Sequence, residues 1–118
     1  MDLLMFWLLM LFDQKYNYTG TIQLDGYYFT FTDNYLNEGH NSFMGFPLQV
    51  TTGQTFFNGS IILQSNMSKI STLEACNHEI EHNVLYASGI SNTTVHHEIM
   101  DKKLEHYDTC DKLMEMLN

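Results

Sequence analysis

The chain changes character once, near residue 71, and that change constrains its fold more than any other feature. Before it, short runs rich in Thr, Ile, Tyr and Phe are separated by turn residues. After it there is a single glycine, Gly89, and no proline. Strand-forming and helix-forming segments segregated along a chain imply an α+β domain rather than alternating β-α-β units. At 118 residues the chain can bury one core. A multi-domain enzyme, or a dinucleotide-binding fold with its own substrate domain, is excluded.

The first half reads as an antiparallel β meander. Tyr18 to Leu24 and Tyr27 to Thr32 are strands joined by Asp25-Gly26, a preferred two-residue hairpin turn. Asp33 to Gly45 is a polar loop, Phe46 to Thr51 is a third strand followed by Gly53 and Gln54, and Ser60 to Gln64 is a fourth. Ser71-Thr72-Leu73-Glu74 has the form of a capping box, so a helix is expected from Thr72 until Gly89 ends it. A second helix is expected from Thr93 to Leu117, capped by Ser91 or Asn92.

Charge narrows the partners. Fourteen carboxylates oppose five cationic side chains, all lysine, for a formal net charge of −9. Nucleic-acid recognition leans on Lys and Arg, so a chain without arginine is not expected to bind it. Residues 1–12 carry an unbroken apolar run, Leu3 to Phe12, that is too short to span a bilayer as a helix. The run reads as a signal or anchor segment, giving possible membrane association, or as a core helix; residues 13–118 form the single domain. Four Asn-x-Ser/Thr sequons, at Asn17, Asn58, Asn66 and Asn92, exceed the roughly 1.5 expected by chance and favour an exported or membrane-anchored chain over a cytoplasmic one. Cys76 and Cys110 can form one bridge or remain two buried thiols.

Inside the first helix lies His78-Glu79-Ile80-Glu81-His82, an H-E-x-x-H pattern. Residues four apart share a helix face, so both histidines can reach one metal ion while Glu79 stands beside it to take a proton from water. The pattern arises by chance in about 2% of shuffled chains of this composition, so its setting matters. With about 100° per residue and His78 at 0°, His82 falls near 40°, whereas Leu73, Cys76, Ile80, Val84 and Ala87 fall between about 160° and 240°. The histidines therefore oppose an apolar stripe, and Cys76 faces away from them. A catalytic zinc needs three protein ligands and an open position. On the second helix His96 falls inside the apolar face, His97 at its edge and Glu98 toward solvent. The third ligand is His97, with His96 as the alternative and Glu98 disfavoured.

These residues resemble the zincin metallopeptidases, in which a strand leads into a helix bearing H-E-x-x-H and the next helix or loop supplies a third ligand. The resemblance covers Gly59 to Asp108, and the chain's size is minigluzincin-like. Leu85 and Ser88 stand where metzincins have Gly and His. SprT-like proteases place a third His about fourteen residues beyond the second, as His97 stands here, but their basic DNA-binding surface has no counterpart in this composition. Gluzincins take a ligand from E-x-x-x-D, and at Glu98 that pattern is broken by Lys102.

The resemblance implies one zinc ion on His78, His82 and His97, a peptide or protein substrate, and Glu79 as general base. It also makes Ser60 to Gln64 the edge strand on which an extended peptide would lie. Tyr86 or Tyr107 could donate to the developing oxyanion. A reading of another class is a surface binding module, its aromatic Tyr27 to Phe57 region contacting a partner, with a structural zinc or no metal. A fourth protein ligand, such as His106 or an Asp, would mark the structural site.

Overall fold

A computed structural model describes residues 15–34, 36–37, 42–43, 46–47, 50–51, 53–56 and 58–117. The apolar segment of residues 1–12 lies outside them, as do parts of the expected loop and third strand. The architecture is α+β: ten short strands precede three helices among the described residues. The main sheet joins β2 (Gly20–Leu24), β3 (Tyr27–Thr32), β9 (Ser60–Gln64) and β8 (Gly53–Thr55) in the order β2-β3-β9-β8. The β2–β3 hairpin forms as its turn predicts, with positive φ at both Asp25 and Gly26.

The sheet corrects the expected meander. β3 and β9 pair in parallel, Phe29 opposite Ile61 and Phe31 opposite Leu63, while β8 pairs antiparallel with β9. Parallel neighbours require the chain to leave the sheet and return, which it does between Thr32 and Gly53, where it re-enters as β8 before turning back into β9. In that excursion the expected third strand is represented by two-residue pieces, β6 (Phe46–Pro47) and β7 (Val50–Thr51), paired with β5 (Ser42–Phe43) and β4 (Leu36–Asn37). Ser60 to Gln64 is consequently an interior strand, not the edge. Among the described residues the terminal strand on that side is β8, in a segment the sequence offered only as the end of the third strand's loop. A small ladder of β1 (Lys15–Tyr16) with β10 (Met67–Ser68) leads into the first helix.

Helix α1 (Lys69–Ala87) starts one turn earlier than expected, with Ser68 rather than Ser71 as its cap. Ser68 ends β10, so its backbone is extended as an N-cap requires, and its hydroxyl accepts from the Ser71 N–H at 3.2 Å. Thr72 Oγ1 donates back to the Ser68 carbonyl. The expected second helix is two: α2 (Thr93–Lys102), capped by Asn92, and α3 (Asp108–Leu117). No proline or glycine marks the break. Tertiary bonds hold it: the Tyr107 N–H donates to Asn77 Oδ1 at 2.9 Å, and Cys110 is disulfide-bonded to Cys76. A straight 25-residue helix would extend about 37 Å and leave the domain, whereas the break folds Cys110, Leu113 and Met114 into the core.

That core is the layer between sheet and helices. Phe29, Phe31, Ile61 and Leu63 alternate onto one sheet face and meet Ala75, Cys76 and Ile80 of α1. The anticipated apolar stripe is shorter than drawn, because Val84 and Ala87 are exposed near the end of α1. Leu85 is buried instead.

Candidate metal centre

Helix α1 carries His78 and His82 about one turn apart, with Glu79 next to His78 in sequence, and α2 brings His97 against the two histidines. One nitrogen from each of His78, His82 and His97 lies within 4.8 Å of the other two. His82 Nε2 is 3.1 Å from His78 Nε2 and 3.2 Å from His97 Nε2. Hydrogen bonding alone does not account for this. A ring nitrogen carries either one N–H or one in-plane lone pair, so His82 Nε2 can satisfy only one of those contacts. A single cation uses all three lone pairs. Tetrahedral zinc with bonds of 2.0–2.1 Å would set its nitrogens about 3.3 Å apart, close to the spacing found. Among the described residues, no further His, Cys, Asp or Glu joins the group.

His82 is buried, and desolvation pushes its pKa from 6.5 down to about 4, with the neighbouring His78, His97 and His96 adding to the shift. It is a neutral imidazole at physiological pH, the form that binds metal. Glu79 is also buried, at 4% exposure, and its carboxylate accepts from Thr55 Oγ1 at 2.5 Å. The same hydroxyl lies 2.8 Å from the Glu79 carbonyl. Thr55 belongs to β8, so the terminal strand of the sheet runs beside the glutamate. At Gly53, on the same strand, an added Cβ would stand 2.7 Å from Glu79 Cγ. The missing side chain is what lets the carboxylate lie against the sheet.

The remaining predicted residues sort clearly. His97, expected at the edge of its helix, is in the triad, and Glu98 is exposed. His96 is completely buried and outside the triad, on the far side of the His82 ring: its Nδ1 is 2.9 Å from His82 Nδ1. Tyr86 packs edge-on against His96, with ring centroids 4.5 Å apart. The Tyr107 hydroxyl is committed to Glu81, which removes it as an oxyanion donor, and burial together with the Glu81 carboxylate pushes its pKa well up. His106 is paired with Asp111 at 2.8 Å in an exposed position and is not a fourth ligand. Cys76 and Cys110 are bonded to each other, with Cα atoms 5.8 Å apart.

Sequence reasoning missed Gly53, Thr55, Asn77 and the role of Glu81. Gly53-Gln54-Thr55 is too short, and too poor in β-branched residues, to announce a strand. Glu81 carried a signal, being a carboxylate on a helix that must bury most of its surface, but its partner lies 26 residues away. No family model, curated protein or solved structure matches this chain. The function is therefore argued from its own geometry.

Proposed function

We propose that the chain is a zinc-dependent peptidase of the zincin type, with His78, His82 and His97 holding one zinc ion and Glu79 acting as general base. The observation that carries this reading is the convergence of three imidazole nitrogens with, among the described residues, no fourth protein donor, two of them on a helix that also buries Glu79. Three ligands are the complement of a catalytic site, and four that of a structural one, which weighs against the binding-module reading. A zinc ion bound there would activate a water molecule and polarise the scissile carbonyl. Glu79 would serve as the base for that water's proton and would return it to the departing amine. Thr55 holds the carboxylate in place by its hydroxyl bond. A peptide extended along β8 would bring its backbone past Glu79, in the role first assigned to Ser60 to Gln64.

The bridge between Cys76 and Cys110 suits an oxidising compartment, in keeping with an exported or anchored protein. The four sequon asparagines are all exposed, as glycosylation of them would require. Among the described residues no helix is long and apolar enough to cross a membrane. The test is cleavage of a peptide library by the purified protein with and without a zinc chelator. Cleavage that stops with chelator, returns with zinc and is lost in Glu79→Gln supports the proposal. Cleavage by Glu79→Gln at the wild-type rate overturns it.

A further inference from the structure

The histidine tandem on α2 does two different jobs, and the second belongs to His96. Its Nε2 lies 2.6 Å from the carbonyl oxygen of Ile90, and its Nδ1 lies 2.9 Å from His82 Nδ1. A carbonyl oxygen can only accept, so His96 Nε2 carries the hydrogen. In the neutral ring Nδ1 then presents a lone pair, and His82 Nδ1 must be the donor. That leaves His82 Nε2 bare, and this is the atom that faces His78 and His97. We propose that His96 is a positioning residue for the metal centre: by accepting from His82 Nδ1–H it fixes that ring's tautomer and orientation, with the Ile90 carbonyl as the anchor of the relay.

The anchor is itself built into the chain. Helix α1 ends with Gly89 in the left-handed region at φ 92°, the Gly89 N–H bonded to the Tyr86 carbonyl and the Ile90 N–H to the Leu85 carbonyl. This pair of bonds is the Schellman arrangement, which only a residue tolerant of positive φ closes without strain. The closed turn holds the Ile90 carbonyl where His96 meets it. His96 is in turn held by complete burial and by the Tyr86 ring. A hydrogen bond to the non-ligating nitrogen raises ligand basicity and removes the entropy of a turning ring, and losing such a partner typically lowers metal affinity about 10–100-fold. Adjacent residues on a helix point about 100° apart. His97 therefore reaches the centre while His96 reaches the back of a ring already there.

This inference rests on the metal site of the proposed function but not on peptide cleavage, and its test separates the two. Nitrogen-15 NMR of the metal-free wild-type protein at pH 7.5 should show His82 as the Nδ1–H tautomer and His96 as the Nε2–H tautomer. Zinc affinity, measured by competition with a chromophoric chelator, should fall about 10–100-fold in His96→Leu. In His96→Gln, whose amide can accept from His82 and donate to Ile90, it should return to within a few-fold of wild type. His82 found as the Nε2–H tautomer overturns the relay, as does equal affinity loss in the Gln and Leu variants. Should His96→Leu fail to fold, the wild-type tautomers and the Gln variant still decide. A protein with the expected tautomers and zinc affinity that cleaves no peptide would sink the peptidase reading and leave the relay standing.

Discussion

The two flanks of helix α1 contain similar residue types and use them in opposite ways. On one flank Asn77, Glu81 and Cys76 are each matched by a group from the C-terminal part of the chain: the Tyr107 N–H, the Tyr107 hydroxyl and Cys110. Asn77 Oδ1 and Glu81 Oε2 each accept from Tyr107, and the third contact is covalent. On the other flank His78, His82 and His97 bring together three nitrogens that cannot all satisfy one another. The difference teaches how one helix can carry two kinds of flank: a closed one stabilises, and one whose lone pairs converge could hold an ion. Glu79 and Glu81 make the contrast within one helical turn, the first bonded to Thr55 of β8 and the second to the Tyr107 hydroxyl.

The sharpest way to break this comparison is to neutralise the two glutamates separately. Glu79→Gln should lower kcat for peptide cleavage by about 10²–10⁴-fold while zinc content stays at the wild-type level. Glu81→Gln should leave kcat within a few-fold and cost about 1–3 kcal/mol of stability, read from urea melts, because the half-buried Tyr107 hydroxyl loses a charged acceptor. The reverse pattern would mean that the flanks have been assigned the wrong way round.

Reducing the bridge between Cys76 and Cys110 opens a loop of 34 residues and should destabilise the fold by about 3–4 kcal/mol, measured by denaturant unfolding with and without reductant. Pairing on the histidine flank should survive better than α3 docking, which hydrogen exchange would report.

Acid should act on the opposite flank. His82 in the metal-free fold has a pKa near 4 against about 6.5 when unfolded, so between those values the unfolded chain holds the extra proton. Stability is therefore full above pH 6.5 and drains by about 3 kcal/mol as pH falls to 4, a slope that His82→Asn should flatten. Unfolding midpoints across that range provide the check.

Gly53→Ala gives the smallest effect on stability and a localised one on chemistry. Its methyl would crowd the buried Glu79 side chain that Thr55 holds, so kcat should fall about 10–100-fold with KM and zinc content little changed.

Much of the site was legible in the sequence because it depends on short-range geometry. His78 and His82 share a face by spacing alone, and helix phase put His97, rather than Glu98, toward the other two because both sit on the regular helix α2. The hairpin at Asp25-Gly26 was legible for the same reason. What failed was decided by distant contacts. The parallel pairing of β3 with β9 depends on where a long excursion returns. The break after Lys102 is imposed by Asn77, Glu81 and Cys76 rather than by any local breaker. Ser68 outcompeted Ser71 as a cap because β10 already delivers it in an extended conformation. His96 was read as a possible ligand because phase places it inward, but phase cannot say that it meets His82 from behind.

The most direct test is zinc analysis of the purified wild-type, His97→Ala and Glu98→Ala proteins after dialysis against trace zinc. The expected result is one zinc per chain in wild type and in Glu98→Ala, and loss of tight binding in His97→Ala. A zinc-free wild type, or a His97→Ala protein that keeps its zinc while Glu98→Ala loses it, would contradict the account.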